Sequence, residues 1–252
     1  MELTIPLYHY TSQKGLLGIL NNGKLRMTSI LYLNDSSEYS HCFDLFLKDL
    51  NFDCRLESFL KQIKTSPDEY IFSLSEKRDD LSQWRGYCPP TGGYCIEFDP
   101  QKLLSIVKKG GYKLEKVLYR QDEKENKIKS ISKGLSVSPN SESIEKEKLL
   151  IRMSRIAPYL KDEAFEKEEE WRIICDTFGA CDICHREGTS MIIPYIERPF
   201  IDDNQLLPLR KIIIGPTPHK VLSKKSVESL IHSSSYAKSV EVECSPIPYR
   251  SW

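Results

Sequence analysis

The chain has 252 residues, in which 36 lysines and arginines balance 36 aspartates and glutamates for a formal net charge of zero. That balance excludes a global electrostatic pull toward nucleic acid or a membrane and leaves only a local basic face to consider. The length suits a single domain, 1–252, with a proper α+β core. No stretch approaches the ~18 apolar residues of a membrane span, and the opening Met-Glu-Leu-Thr lacks the basic and apolar segments of a signal peptide. The expected setting is cytoplasmic, with the eight cysteines mostly reduced thiols.

In chain order, Leu7-Tyr8-His9-Tyr10 is an aromatic, strand-prone run, and Thr11 and Ser12 are good helix N-caps. Gln13 to Asn21 then carries Leu16, Leu17, Ile19 and Leu20, with Gly23 as a stop. His9 thus falls near the end of a strand that feeds a helix, either as a satisfied core residue or as a ligand contact. Asp35 and Glu38 have capping-box spacing ahead of a helix with Tyr39, Cys42, Phe43, Phe46 and Leu50 on one face. Asn34, Asp35 and Glu38 read as caps or as cleft-lining residues beside His9. A second helix covers about Asp53 to Lys64, and Tyr70 to Leu74 reads as a buried strand.

Asp79 or Asp80 caps a short helix that puts Trp84 and Tyr87 three residues apart, on one face. These rings are core aromatics or a stacking platform beside the turn Pro89–Gly93. Tyr94 to Phe98 is a strand, Asp99-Pro100 opens a helix in cap-then-proline order, and Tyr112 to Tyr119 is another strand. From about 120 to 147 the composition turns to Lys, Glu, Ser and Asn, which predicts a polar insertion or mobile surface loop. It ends at the helix that carries Leu149, Leu150, Ile151 and Met153.

Phe165-Glu166-Lys167-Glu168-Glu169-Glu170-Trp171-Arg172-Ile173-Ile174-Cys175 runs a charged segment directly into an apolar strand. If the strand begins by Glu168, alternation places Glu168, Glu170 and Arg172 on one face. That is a site of two carboxylates and a guanidinium, or else a charge-guarded edge strand. Cys175, Cys181, Cys184 and His185 crowd together, but no second CxxC pair supports zinc. Free thiols in a loop are expected, with no resident metal. Met191 to Tyr195, Leu209 to Ile214 and Val240 to Cys244 are the remaining strands, and a helix from about His219 to His232 joins the last two.

The phrases YHYTS (8–12), LNDSSE (33–38), FSLS (72–75), QWRGY (83–87), GGYCIEFD (92–99), FEKEEEWRI (165–173) and KIIIGP (211–216) occur in this order. As an ordered set they resemble a bacterial family catalogued as domain of unknown function 2971, and the opening resembles ADP-ribosyltransferases of the His-Tyr-Glu type. The resemblance implies an ADP-ribosyltransferase-like α+β fold: two packed, mostly antiparallel β-sheets forming a cleft, with helices around them. It also implies an NAD-dependent transferase that cleaves the nicotinamide–ribose bond and passes ADP-ribose to a macromolecular acceptor. Toxins and phage-defence effectors work this way, and an inhibitory or immunity partner then belongs to the picture. The alternative is an inactive transferase-like module that binds a nucleotide or a partner protein.

By the same resemblance His9 hydrogen-bonds a ribose hydroxyl of NAD, with Tyr10, Thr11, Ser12, Ser73 and Arg172 also around the cofactor. Trp84 or Tyr87 stacks on nicotinamide, Glu170 is the catalytic carboxylate, and Glu168 makes the E-x-E pair that positions the acceptor. The central tyrosine stays open among Tyr10, Tyr32, Tyr87 and Tyr94, and the register of the catalytic glutamate stays open within Glu168–Glu170. Such chemistry passes through an oxocarbenium-like transition state and requires no metal. His9 and Glu170 are expected to face one cleft. Glu170→Gln is expected to lower NAD turnover at least ~100-fold with little change in melting temperature.

Overall fold

Seven residues, Glu69–Ser75, organise the sheet. Their sequence EYIFSLS is apolar and aromatic, and nearly every position is buried, as a strand covered on both faces requires. The computed structural model describes residues 3–33, 43, 53–65, 68–90, 92–132, 141–176, 183–188 and 190–248. Within them the strands are β1 Leu7–Thr11, β2 Lys24–Ser29, β3 Glu69–Ser75, β4 Tyr94–Phe98, β5 Lys113–Lys116 and β6 Glu170–Asp176, then β7 Cys184–Glu187, β8 Ile192–Pro199, β9 Leu209–Ile214 and β10 Glu241–Cys244. They form one 10-stranded sheet in the order β10-β9-β4-β1-β3-β2-β8-β7, with β6 and β5 branching from β3. All pairs are antiparallel except β9 with β10.

The expected pair of packed sheets is therefore one continuous sheet that splits. One edge of β3 pairs with β6 along its whole length, from Glu69↔Asp176 to Ser75↔Glu170. The other edge is divided: β1 meets it at Tyr8↔Ser75, and β2 meets it at Thr28↔Ile71 and Ser29↔Tyr70. Phe72, Ser73 and Leu74 have no ladder partner on that edge, so β1 and β2 diverge there and a gap opens between them.

Two apolar layers cover the faces. Tyr70, Phe72 and Leu74 join Leu7, Leu16, Leu20, Met27, Phe98, Leu103 and Ile173 in the larger core. Ile71 and Ile174 join Leu150, Met153, Ile156 and Tyr159 in the second. The helices follow local signals. Ser12 caps Gln13–Asn22, which ends on Gly23 at φ 62°. Asp80 caps Leu81–Tyr87 by accepting from Ser82 and Gln83 N–H. Asp99 caps the proline-initiated helix Pro100–Lys109.

The structure departs from sequence expectation in three places. Gln121–Ser132 is a helix rather than loop, because Ile128 is buried in the second core and fixes one side of an otherwise polar segment. Of the rest of the polar stretch, 133–140 lies outside the described residues, and from Ser143 on it is already the helix Ser143–Ser154. Cys184–Glu187 is a strand, held by pairing with β8 rather than by its own pattern. β6 begins at Glu170, since Glu163–Glu168 forms a 3₁₀ turn and Glu169 adopts φ 45°. Asn34, Asp35 and Glu38, with the helix expected after them apart from Phe43, also lie outside the described residues.

Candidate active site

Two cavities flank the split. The smaller, about 50 Å³, is lined by Tyr8, His9, Tyr10, Ser73, Ser75, Gln83, Tyr87, Glu168 and Glu170, among others. The larger, about 770 Å³, lies between the His9–Gly15 segment on one bank and Arg26, Thr28 and Arg186 on the other, with Tyr87–Pro90 nearby. His9, Tyr10 and Tyr87 belong to both walls. The larger volume falls in the range of small-molecule and cofactor sites.

His9 takes the place of a missing strand. Its Nδ1 lies 2.9 Å from the Ser73 carbonyl, and its ring stacks on Phe72 at 4.1 Å. A carbonyl only accepts, so Nδ1 carries the proton. Burial, opposed by that hydrogen bond, brings the pKa down from 6.5 to about 4. The folded ring is therefore neutral at physiological pH, and Nε2 keeps its lone pair as an acceptor for a hydroxyl.

Depression of a base's pKa means that the unfolded chain takes up the proton first. The penalty is absent above pH 6.5 and grows as pH falls from 6.5 toward 4. Glu69 works in the opposite direction. Burial, and then the neighbouring Asp176, push its pKa up to about 7, so the stability it contributes at low pH is lost as pH rises from 4.5 to 7. Comparing the wild type with His9→Asn separates the two effects. Between pH 7 and pH 4.5 the wild type is expected to lose up to about 3 kcal/mol relative to the variant, measured by denaturant titration. A difference independent of pH means that His9 is not held neutral.

Glu168 and Glu170 converge despite the register change. Glu169 turns through the left-handed region, Glu76 N–H donates to the Glu169 carbonyl at 3.1 Å, and Val117 N–H donates to the Glu170 carbonyl at 2.9 Å. Ser75 Oγ donates to the Glu168 carbonyl at 2.6 Å. Glu169 itself points away to Lys77. Lys161, 4% exposed, bridges the other two glutamates, with Nζ 2.7 Å from Glu168 Oε2 and 3.0 Å from Glu170 Oε2. Arg172 grips Glu170 with both prongs, Nε to Oε1 at 2.8 Å and Nη2 to Oε2 at 3.0 Å, and its Nη1 donates to the Pro158 carbonyl.

Burial raises the Glu170 pKa, but Arg172 and then Lys161 more than offset it and hold it at about 2. Glu170 is thus ionised at any working pH, with three strong donors on its two oxygens. Glu168 accepts from Lys161 and, at 2.6 Å, from the Tyr87 hydroxyl, which leaves about two lone-pair sites open. Burial raises the Tyr87 pKa, so that phenol stays a donor.

The remaining candidates divide. Ser73 lines the small cavity, and Thr11 and Ser12 line the large one. Thr11 packs against Gly15, where an added Cβ would lie 2.0 Å from Thr11 Oγ1. Tyr10 is buried, donates its hydroxyl to the Lys77 carbonyl and accepts from Asp80 N–H, so its hydroxyl is committed to structure. Arg172 is 1% exposed and faces Glu170 rather than either cavity, which makes it a support for the site and corrects its expected place at the cofactor. Trp84 is corrected likewise. It packs edge-on to Tyr10 at 4.8 Å, donates Nε1–H to Asp79 and lines neither cavity. Of the two aromatic candidates only Tyr87 reaches the split.

His9 and Glu170, expected to face one cleft, both line the small cavity but reach it from opposite sides of the pleat. The pairs Tyr8↔Ser75 and Ser75↔Glu170 place Glu170 on the Tyr8 side of the pleat, while His9 leaves on the other. They line one cavity only because the sheet opens between them. Lys161, Arg26 and Arg186 were not among the expected site residues; the one local signal for Lys161 is its place directly after the apolar Tyr159-Leu160. Among the described residues no cluster of three His, Cys, Asp or Glu side chains is arranged to hold a metal, and Cys181 lies outside them. No described helix is long and apolar enough to cross a membrane.

Residues 83–173 match the family model described as Protein of unknown function (DUF2971). The matched segment carries QWRGY, GGYCIEFD and FEKEEEWRI, and so runs from the Tyr87 helix through Arg172. No curated protein and no solved structure matches the chain.

Proposed function

We propose, from a family match that names no activity and a site that suggests one, that this chain is an NAD-dependent ADP-ribosyltransferase with an ADP-ribosyltransferase-like fold. The observation that carries the reading is the small cavity at the split, where Glu168 and Glu170 meet His9 and Tyr87 beside a cavity large enough for a dinucleotide. NAD lies in the larger cavity with its nicotinamide riboside end entering the split. His9 Nε2 accepts from a ribose hydroxyl. The Tyr87 ring covers the nicotinamide.

As the glycosidic bond stretches, positive charge builds on the ribose and hydrogen bonds to its hydroxyls strengthen. Glu170 supplies fixed negative charge there, its position set by Arg172 and Lys161 before the substrate arrives, so little reorganisation is needed during the reaction. Glu168, with lone pairs open, accepts from a ribose hydroxyl or from the incoming nucleophile. The bond pair leaves with nicotinamide, and the acceptor oxygen, nitrogen or water bonds to the anomeric carbon and sheds its proton.

The direct test is nicotinamide release from NAD by the purified chain, followed by chromatography. Turnover by the wild type, lowered 10- to 100-fold in Glu168→Gln with a smaller drop in melting temperature than in Glu170→Gln because Lys161 keeps Glu170, is the expected result. Unchanged turnover in that folded variant removes Glu168 from the chemistry. One observation favours a second reading, an inactive binding module: Glu170 is already neutralised by Arg172 and Lys161. Binding of ADP-ribose without any nicotinamide release, alone or with added acceptor protein or nucleic acid, selects that reading.

A further inference from the structure

The bank of the large cavity opposite His9 is cationic. On β2, Arg26 is the cross-strand partner of Glu197 on β8, and Arg186 on β7 is two residues from Cys184, the partner of Tyr195. Alternation therefore puts Arg26, Thr28, Tyr195, Glu197 and Arg186 on one face. Arg26 holds Glu197 at 3.1 Å, and its guanidinium lies 5.2 Å from the centre of the Tyr195 ring. Arg186 is half-buried, and among the described residues no carboxylate pairs with it. Burial, and then the positive charge of Arg26, lower its pKa. Both guanidiniums line the cavity, and Lys14 adds a third cation near the start of the helix Gln13–Asn22.

Two like charges on a half-buried wall repel each other unless an anion joins them; Glu197 pairs with Arg26, and the exposed Glu187 is the one carboxylate in the cavity lining beside Lys14, Arg26 and Arg186. A guanidinium fork matches phosphate oxygens in pairs and is less strongly hydrated than an ammonium, so it suits a partly desolvated anion site. The glutamate pair lies at the other end of the same cleft, and Glu168 and Glu170 are matched by Lys161 and Arg172. The excess positive charge therefore sits at the Arg26–Arg186 end.

We propose that Arg26 and Arg186 form the diphosphate seat of the cleft and make it selective for nucleotides joined or ended by a diphosphate over mononucleosides. The assignment to NAD rests on the transferase reading, but the seat itself does not. It recognises ADP-ribose, ADP and NAD alike, and it spaces the dinucleotide so that one ribose reaches His9.

The test is calorimetric titration of the full chain with ADP-ribose, ADP and adenosine, and with a short single-stranded oligonucleotide. The wild type is expected to bind ADP-ribose and ADP at least 10-fold more tightly than adenosine. Arg186→Gln is expected to weaken both 10- to 100-fold and leave adenosine within 2-fold. Arg186→Lys, which keeps the charge without the fork and guards against a folding defect in the first variant, should fall between. ADP-ribose binding that is absent in the wild type, or unchanged in folded Arg186→Gln, overturns the proposal. Tighter, Arg186-dependent binding of the oligonucleotide overturns it in favour of a nucleic-acid backbone. Nicotinamide release separates the two ideas: Arg186-dependent ADP-ribose binding without turnover retains the seat and removes the transferase, and turnover unaffected by Arg186→Gln does the reverse.

Discussion

Glu170→Gln is expected to lose both stability and turnover, and the two losses have different origins. The isostere keeps the shape but leaves Arg172, 1% exposed, and Lys161 facing a neutral amide. Breaking one partner of a buried ion pair typically costs about 3–5 kcal/mol, which lowers the melting point of a domain this size by roughly 6–20 °C. A nearly unchanged melting temperature, expected from the sequence, does not fit a carboxylate gripped by two buried cations. Turnover measured well below the variant's transition is expected to fall at least ~100-fold. Glu170→Gln with Arg172→Met tests the partition: with less cationic charge left unmatched, the double variant should recover part of the stability and none of the activity. A folded Glu170→Gln protein with normal turnover and melting temperature contradicts both halves of the argument.

Trp84→Ala and Tyr87→Ala are expected to fail in opposite ways, although the residues share a seven-residue helix. Trp84 fills the space between Tyr10 and the backbone at Gly215, where an added Cβ would come within 2.9 Å of the indole. Cutting a buried aromatic to alanine costs about 3–5 kcal/mol, so this variant melts early. At temperatures where it is folded, its NAD affinity stays within about 2-fold of the wild type. Tyr87→Ala melts close to the wild type and binds NAD roughly 2- to 30-fold more weakly, through loss of a ring face against a cationic nicotinamide. Tyr87→Phe keeps the ring and removes only the donor to Glu168, so its defect belongs to turnover. Equal melting points and equal binding defects in the two alanine variants exclude this division.

The strands around the site were legible because their patterns are strong and self-contained. Ile212–Ile214 is an apolar run with Gly215 behind it, and Leu7–Thr11 is bounded by the Ser12 cap. His9 and the Glu168–Glu170 run stood out because polar groups adjoin apolar strands there. Trp84 and Tyr87 were paired correctly on one helix side, but three residues span about 300° of rotation, or 60° short of a turn. That is enough for one ring to enter the core while the other borders the cleft. Arg172 was misplaced because alternation gives a face and not a destination: the fork reached Glu170 two residues away. Arg26 and Arg186 were not assigned to the site because their meaning comes from neighbours distant in sequence, such as Glu197 for Arg26. The helix Gln121–Ser132 was hidden because its intrinsic pattern is almost wholly polar, and packing on Ile128 decides it.

The divided edge of β3 has a mechanical consequence. The wing β10-β9-β4-β1 is joined to that edge by one residue pair, and the wing β2-β8-β7 by two. Between these joints the histidine side chain is the rivet. A flexure at Phe72–Leu74 therefore moves the wings relative to each other while leaving the long β3–β6 seam intact. A ligand lying in the gap touches both wings and acts as a brace. Occupancy is then expected to slow amide-hydrogen exchange in both wings, including in β9, which lines neither cavity.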